Sequence, residues 1–183
     1  IHRFRTHGTC GSVPRANTAC TIPHRNFQDD HIDESQLKQI LRPVFQASYQ
    51  VRNVSCMGCF LQCTFLYETN DEKFGPLRVE GFHQNMIWDF VGKLGIYHPP
   101  AILGIQALCS KLGMDLDNTS GAIALAFELF EKGIINERDT EGLKLTWGDY
   151  ETVIQLIKRM AFSQGFGAVL SQGAFRAAKL IGR

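Results

Sequence analysis

Thr119-Ser120-Gly121-Ala122-Ile123-Ala124-Leu125-Ala126-Phe127-Glu128-Leu129-Phe130-Glu131-Lys132-Gly133 is the stretch on which the fold turns. Its spacing predicts one helix, capped by Thr119 at its start and closed by Gly133 at its end. Its apolar side chains leave almost no polar face, so the helix belongs at the centre of a core. The segments on either side read the same way. Pro99-Pro100 opens a helix and Gly113 stops it, the usual placing of proline at a helix start and glycine past its end. Asp149 caps a helix that turns Val153, Ile154, Leu156 and Ile157 inward and ends before Gly165. Two shorter helices split around Gly173, and Asn85 to Lys93 carries Met86, Ile87, Phe90 and Val91 at helical spacing. The class is mostly α: a multihelical, bundle-like domain, with its core expected around residues 101–132 and 150–162.

Toward the N-terminus the pattern fades. Residues 1–32 hold Gly8, Gly11, Pro14, Asn17 and Pro23 with little periodicity, and predict an extended loop or meander. A helix is expected near 34–47, capped by Asp33 and kinked or split by Pro43. A short strand is expected at Thr64 to Tyr67, and a solvated turn at residues 70–76. The chain thus divides into a loop-rich segment, 1–84, with an irregular backbone and one helix, and a helical domain, 85–183.

The chain has 183 residues, of which 44% are apolar and 20% charged, with a formal net charge of +1. This is enough apolar material for a real core. It gives no electrostatic argument for nucleic acid or an anionic membrane as partner. The longest apolar runs, such as Ala122 to Phe127, are far shorter than a membrane span. Opening at Ile1 without methionine, in loop-like sequence, the chain reads like a cut inside a longer protein.

Three of the six cysteines crowd into Cys56-Met57-Gly58-Cys59-Phe60-Leu61-Gln62-Cys63, a C-x2-C-x3-C motif; Cys10, Cys20 and Cys109 are scattered. A secreted disulfide scaffold would be shorter and more evenly stapled, so the clustering points to a reducing, cytoplasmic setting and to a metal. Short gaps let several thiolates converge on one inorganic core. Iron–sulfur clusters and structural zinc both want four ligands, so the triplet supplies three-quarters of either site. Buried thiols without a metal are the third reading. Spacing alone leaves all three open.

Order along the chain narrows this. Arg5-Thr6-His7-Gly8-Thr9, Asn17 and Ile22-Pro23-His24-Arg25-Asn26-Phe27 precede the triplet. Leu112-Gly113-Met114-Asp115, Ala124 to Gly133, Trp147-Gly148-Asp149 and Gly165-Phe166-Gly167 follow it. The ordered set resembles the middle region of the tungsten- or molybdenum-dependent aldehyde:ferredoxin oxidoreductases, over nearly the whole chain. The resemblance implies that Cys56, Cys59 and Cys63 ligate a four-iron–four-sulfur (4Fe-4S) cluster whose fourth cysteine comes from a later domain. It implies that residues 110–115 form the first of two pterin-binding loops of pattern D-x-x-G-L-D. Gly113 and Asp115 match that pattern, Met114 replaces leucine, and Ser110 stands where the first aspartate belongs. An acidic residue near the metal is expected in the interval around Arg78-Val79-Glu80-Gly81-Phe82-His83. Glu80 is the nearest carboxylate, and His83 is its natural companion in handling protons, since an unperturbed imidazole titrates close to neutral pH.

The activity implied is oxidation of an aldehyde to a carboxylate. A metal held by two pterins would carry the chemistry, and electrons would pass through the cluster to ferredoxin. The partners implied are ferredoxin, the aldehyde and the remaining domains of a parent protein. Homo-oligomerisation is left open, and the piece alone is expected to be inactive. A related branch reduces aromatic acyl-coenzyme A rings, and Ala126-Phe127-Glu128-Leu129 fits both branches. From a different class, a non-catalytic helical module with structural zinc also accommodates the triplet.

Overall fold

The computed structural model describes residues 1–41 and 44–182. It is mostly helical, with one small antiparallel sheet, as the helical pattern predicts. The N-terminal stretch differs from expectation. Residues 2–18 are short helical turns: α1 (His2–His7), a 3-10 turn (Thr9–Ser12) and α2 (Val13–Thr18). The breakers did not forbid this, because Pro14 sits in the first turn of α2, where its missing N–H costs nothing. Only residues beyond these turns are irregular, up to Asp33.

The helix expected near 34–47 is two helices, α3 (Glu34–Ile40) and α4 (Val44–Tyr49). Asp33 caps α3 as expected, accepting from the Ser35 amide at 2.8 Å. The proposed break at Pro43 lies outside the described residues. β1 (Gln50–Val54), β2 (Thr64–Asp71) and β3 (Gly75–Gly81) then form a meander in that order; the strand expected at residues 64–67 runs on to Asp71, and the predicted turn is present at residues 72–74, between β2 and β3. In its register Leu66 faces Glu80 and Phe65 faces Gly81.

α5 (Gln84–Met86) runs directly into a π-helix, Ile87–Lys93. α6 (Pro99–Leu112) ends at Gly113, whose φ of 67° is the left-handed conformation glycine adopts without strain. α7 is longer than predicted, Leu116–Glu131. Its cap is Asp115, which accepts from the Asn118 amide at 2.8 Å, and Thr119 lies buried within its first turns. Gly133, just past its end, has a φ of 68°. α8 (Tyr150–Ala161) is capped by Asp149 as expected, and α9 (Phe166–Leu170) and α10 (Ala174–Ile181) flank Gly173.

The core is one connected set of buried side chains. Ala122, Ile123, Ala126 and Phe127 of α7 are at its centre, with Ile102 and Ile105 of α6 and Val153, Leu156 and Ile157 of α8 around them. α7 is therefore the central helix its composition predicts. Aromatic rings carry the core toward the sheet: Phe82 stacks on Phe45 at 4.1 Å, and Tyr67 meets both edge-on. Each large ring removed from water contributes roughly 1.5–3 kcal/mol. The N-terminal segment is tied to this body through Asn26, which donates to Glu128 of α7 at 2.5 Å.

Candidate active site

Two places carry chemistry. The first is the loop between β1 and β2 that holds the cysteine triplet. Cys56 is exposed, Cys59 and Cys63 are half-buried, and all three are free thiols. The Cys59 amide donates to the Cys56 carbonyl at 3.0 Å, making a turn in which Gly58 takes a φ of 75°. The base of the loop is fastened. Arg5 donates to the Phe60 carbonyl at 2.8 Å, and Asn53 donates to the carbonyls of Arg5 and Gln62 at 2.6 and 3.2 Å. Gly8 packs so closely that a Cβ there would stand 2.7 Å from the Cys63 carbonyl oxygen. The tip is open: the Met57 side chain is wholly exposed and Phe60 largely so. Among the described residues no three His, Cys, Asp or Glu side chains are gathered to hold a metal ion. The donor chemistry nevertheless fits a cluster: three thiols, none spent in a disulfide, lie on one solvent-facing loop. Gripping a cluster requires that loop to close.

The scattered cysteines behave differently. Burial pushes the thiols of Cys10 and Cys109 up to about 12, so both stay protonated, and a metal ligand must be a thiolate. Cys10 donates its S–H to the Phe82 carbonyl at 3.3 Å, and Cys109 sits in the core.

The second place is a cavity of about 540 Å³ where several chain ends meet. His83, Ser110, Met114 and Asp115, all singled out from sequence, line it together with Thr9 and Gln106. Gly113 adjoins it and supplies the turn that brings Met114 and Asp115 round. Glu80 lies outside, exposed on β3, and acts on His83 only through its charge. Burial holds the His83 imidazole below its ordinary pKa, and Glu80 partly offsets that. The imidazole is thus neutral near pH 7 and able to accept a proton.

The wall is built by hydrogen bonds. Gln106 of α6 donates to the Glu80 carbonyl at 2.9 Å and accepts from the Phe82 amide at 3.1 Å, so the last residues of β3 are pinned to α6. Gly81 lies between those two bonds with a φ of 130°, and a Cβ there would stand 1.9 Å from Gln106 Nε2. On the other side Thr9 Oγ1 accepts from the Gln84 amide at 2.9 Å, and Ser12 donates to Gln84 Oε1 at 2.7 Å. These bonds fix His83 between two anchored residues. The cavity has the size and mixed lining of a small-molecule site. Its Asp115 carboxylate and Ser110 hydroxyl suit a flat heterocycle that offers N–H and carbonyl groups, so the residues present fit a pterin.

Sequence reading marked Thr9 only as part of the Arg5–Thr9 stretch, without a role, and missed Gln106, which nothing in a single sequence marks. It also missed Asp89 and Lys93, an acid–base pair four residues apart in an apolar segment, which was a visible signal.

The sequence pattern described as aldehyde ferredoxin oxidoreductase, domains 2 and 3, matches residues 1–183. A tungsten-containing aldehyde ferredoxin oxidoreductase of Pyrococcus furiosus is 32% identical over 184 residues, covering 94% of this chain and 29% of its own length. That of Thermococcus kodakarensis is 27% identical over 183 residues, covering 94% and 29%. The aliphatic sulfonate oxidoreductase, WOR-like subunit, of Pyrococcus furiosus is 26% identical, covering 96% and 28%. This chain therefore spans under a third of the length of the curated relatives it matches. Among solved structures, the active site complex BamBC of benzoyl coenzyme A reductase with 1,5-dienoyl-CoA superposes with a TM-score of 0.61 at 23% identity, over 75% of this chain and 20% of that one. That likeness speaks for the fold. With a family match along its whole length, the chain belongs to the aldehyde ferredoxin oxidoreductase family.

Proposed function

We propose that this chain is the part of a tungsten- or molybdenum-dependent aldehyde oxidoreductase that supplies one pterin loop, the proton-handling wall and three cluster ligands. The observation that carries the reading is the meeting of His83, Ser110, Met114 and Asp115 at one cavity. When bound, a metal–bis-pterin group supplies oxygen transfer and two-electron chemistry, and a 4Fe-4S cluster passes electrons on singly to ferredoxin. Asp115, Ser110 and the turn at Gly113–Met114 would hold the pterin. Cys56, Cys59 and Cys63 would hold the cluster.

The reaction consumes an aldehyde and water and yields a carboxylate, three protons and two electrons, so the site must take up protons. His83, kept neutral by burial and facing the cavity, accepts one. Glu80, one strand-end away, stabilises the imidazolium that forms. Apolar Met86 and Met114 in the lining help exclude bulk water. The remaining domains of the parent complete the pterin cradle and the cluster. The free cysteines agree with a reducing compartment, the cytoplasm. No helix among the described residues is long and apolar enough to cross a membrane.

The test is aldehyde-dependent reduction of a viologen dye by the parent protein, purified anaerobically. Activity lost in Cys59→Ser and sharply reduced in His83→Ala supports the reading. Full metal content with no aldehyde-dependent reduction, or with turnover only on an aromatic acyl-coenzyme A, overturns it. Colourless protein carrying zinc at the triplet does so as well.

A further inference from the structure

The fold buries a carboxyl group that neither the motifs nor the proposed chemistry uses. Asp89 lies in the π-helix, five of whose seven residues are buried, and is itself 0% exposed. π-turns recur at functional positions in helices. Its Oδ1 is well supplied: Lys93 Nζ lies at 2.6 Å and the Ser120 hydroxyl at 2.9 Å. Lys93 is also 3.3 Å from Ser120 Oγ, which closes a small network. Oδ2 is buried with no donor in reach. A buried carboxylate oxygen without a donor is unfavourable, and a native fold resolves such a group with a proton, a water or a ligand.

Asp117, on the first turn of α7, lines the cavity, and Ser120 joins it to Asp89: the Ser120 hydroxyl lies 2.9 Å from Asp89 Oδ1 and 3.0 Å from the Asp117 carbonyl oxygen. A buried carboxylate and an exposed one held close together repel. One proton between them replaces that repulsion with an O–H···O bond and gives Oδ2 the donor it lacks. The other charged groups around Asp89 do not supply that donor. Lys93 is committed to Oδ1. α5 presents the uncharged Gln84 to Met86, with His83 at its N-terminus. The loop packed on Gly92 contributes the Arg25 amide, bonded to the Gly92 carbonyl, while the Arg25 guanidinium turns to Asp29.

We propose that Asp89 and Asp117 share a single proton and form a second proton-holding site at the His83 cavity, Asp89 storing the proton and Asp117 exchanging it with solvent there. Burial first, and Asp117 second, push Asp89 up to about 6, while Lys93 and Ser120 pull the other way. The pair can therefore gain or lose a proton near neutral pH, where an ordinary aspartate cannot. Its exchange with the reaction rests on the proposed reading of the cavity; the shared proton does not.

The experiment is carboxyl carbon-13 NMR of the full chain labelled at aspartate Cγ, titrated from acid to alkaline pH, with Asp117→Asn and Asp89→Asn. Asp117 is exposed, so its isosteric replacement leaves the fold intact. The expected result is that the Asp89 signal moves in two steps. In Asp117→Asn, Asp89 should titrate in one step at a midpoint lower by about 1 unit or more, since the like charge is gone and an amide N–H can reach Oδ2. A single-step Asp89 titration in the ordinary aspartate range, unchanged by Asp117→Asn, would overturn the proposal. The measurement needs neither cofactor nor turnover, so its failure leaves the aldehyde-oxidation reading standing, and the reverse holds as well.

Discussion

Replacing Gly81 by alanine tests whether the cavity wall is held as described. Gly81 has a φ of 130°, outside the region an alanine occupies comfortably, and the strain costs about 1–3 kcal/mol. A Cβ would stand 1.9 Å from Gln106 Nε2. The amide is the far end of a flexible side chain, so it can swing aside and the steric clash itself is cheap. Its bonds to the Glu80 carbonyl and the Phe82 amide would then be lost. Each contributes about 1 kcal/mol net, and more where the group left behind is buried, as the Phe82 amide is. Against this, alanine stiffens the unfolded chain, worth about 0.4–1 kcal/mol in its favour. The net expectation is a loss of about 2–4 kcal/mol, a large part of a typical margin of roughly 5–15 kcal/mol.

Equilibrium urea unfolding followed by tryptophan fluorescence measures the loss. Gln106→Ala removes the same two bonds by another route. If Gly81→Ala acts partly through Gln106, the double variant must be more stable than the two single losses predict. A Gly81→Ala chain within about 0.5 kcal/mol of wild type, or strict additivity with Gln106→Ala, would refute this account of how His83 is positioned.

Ala126→Asp places a charge at a 0%-exposed position in the central helix; a loss of several kcal/mol, and of most helical circular dichroism at 25 °C, is expected. Gly113→Val should cost about 1–2 kcal/mol in strain alone, because nothing lies within 4 Å of a Cβ there, yet should deplete tungsten or molybdenum in the parent protein. Retention of full metal and activity would show that this turn is not a cofactor loop. His83 has a folded-state pKa below its unfolded one, so wild type should lose stability relative to His83→Gln as pH falls from 7.5 through about 6.5. Paired urea melts at pH 7.5 and 5.5 would contradict this if wild type gained instead. Anaerobic reconstitution of the chain alone should give iron that gel filtration strips away, because Cys10 and Cys109 are held as protonated thiols. Near-stoichiometric four-iron retention that vanishes in Cys10→Ser or Cys109→Ser would identify a fourth ligand within the chain.

What could be read from sequence was what local chemistry determines. Pro99-Pro100, Gly113 and Asp149 act within one helical turn, and each does in the structure what its type predicts. The start of α7 shows the limit of that logic. Asp115 and Thr119 are both good caps, four residues apart, and only folding reveals that Asp115 is used, with Thr119 buried against the core. The sheet was mostly hidden. β1 has no alternation of buried and exposed residues, and β2 buries four consecutive positions, Thr64 to Tyr67, before its pattern begins. The π-helix has no local signature. The cysteine loop was visible because its chemistry is contiguous. The cavity was visible only in part, since it is assembled from residues 9, 83, 106 and 115 by long-range bonds. Glu80 looked closer to it in sequence than it is in space, because strand alternation turns it to the exposed face of β3.

The two places differ in how firmly they are built, and this orders events on the proposed reading. The cavity is made from the ends of β3, α6 and α7, rigid elements, cross-tied by Gln106 and Thr9. Its walls are held by the chain's own bonds, which on the proposed reading lowers the cost of ordering it around a pterin. The cysteine loop is tied through a few backbone carbonyls, by Arg5 and Asn53, and presents the Met57 and Phe60 side chains to solvent. Three thiols there must be drawn together against chain entropy, and two large apolar side chains gain only if another surface covers them. A cluster and a covering domain therefore stabilise the same conformation, and each should strengthen binding of the other. Cluster loading thus belongs with domain assembly, whereas the pterin wall stands on the fold of this chain alone.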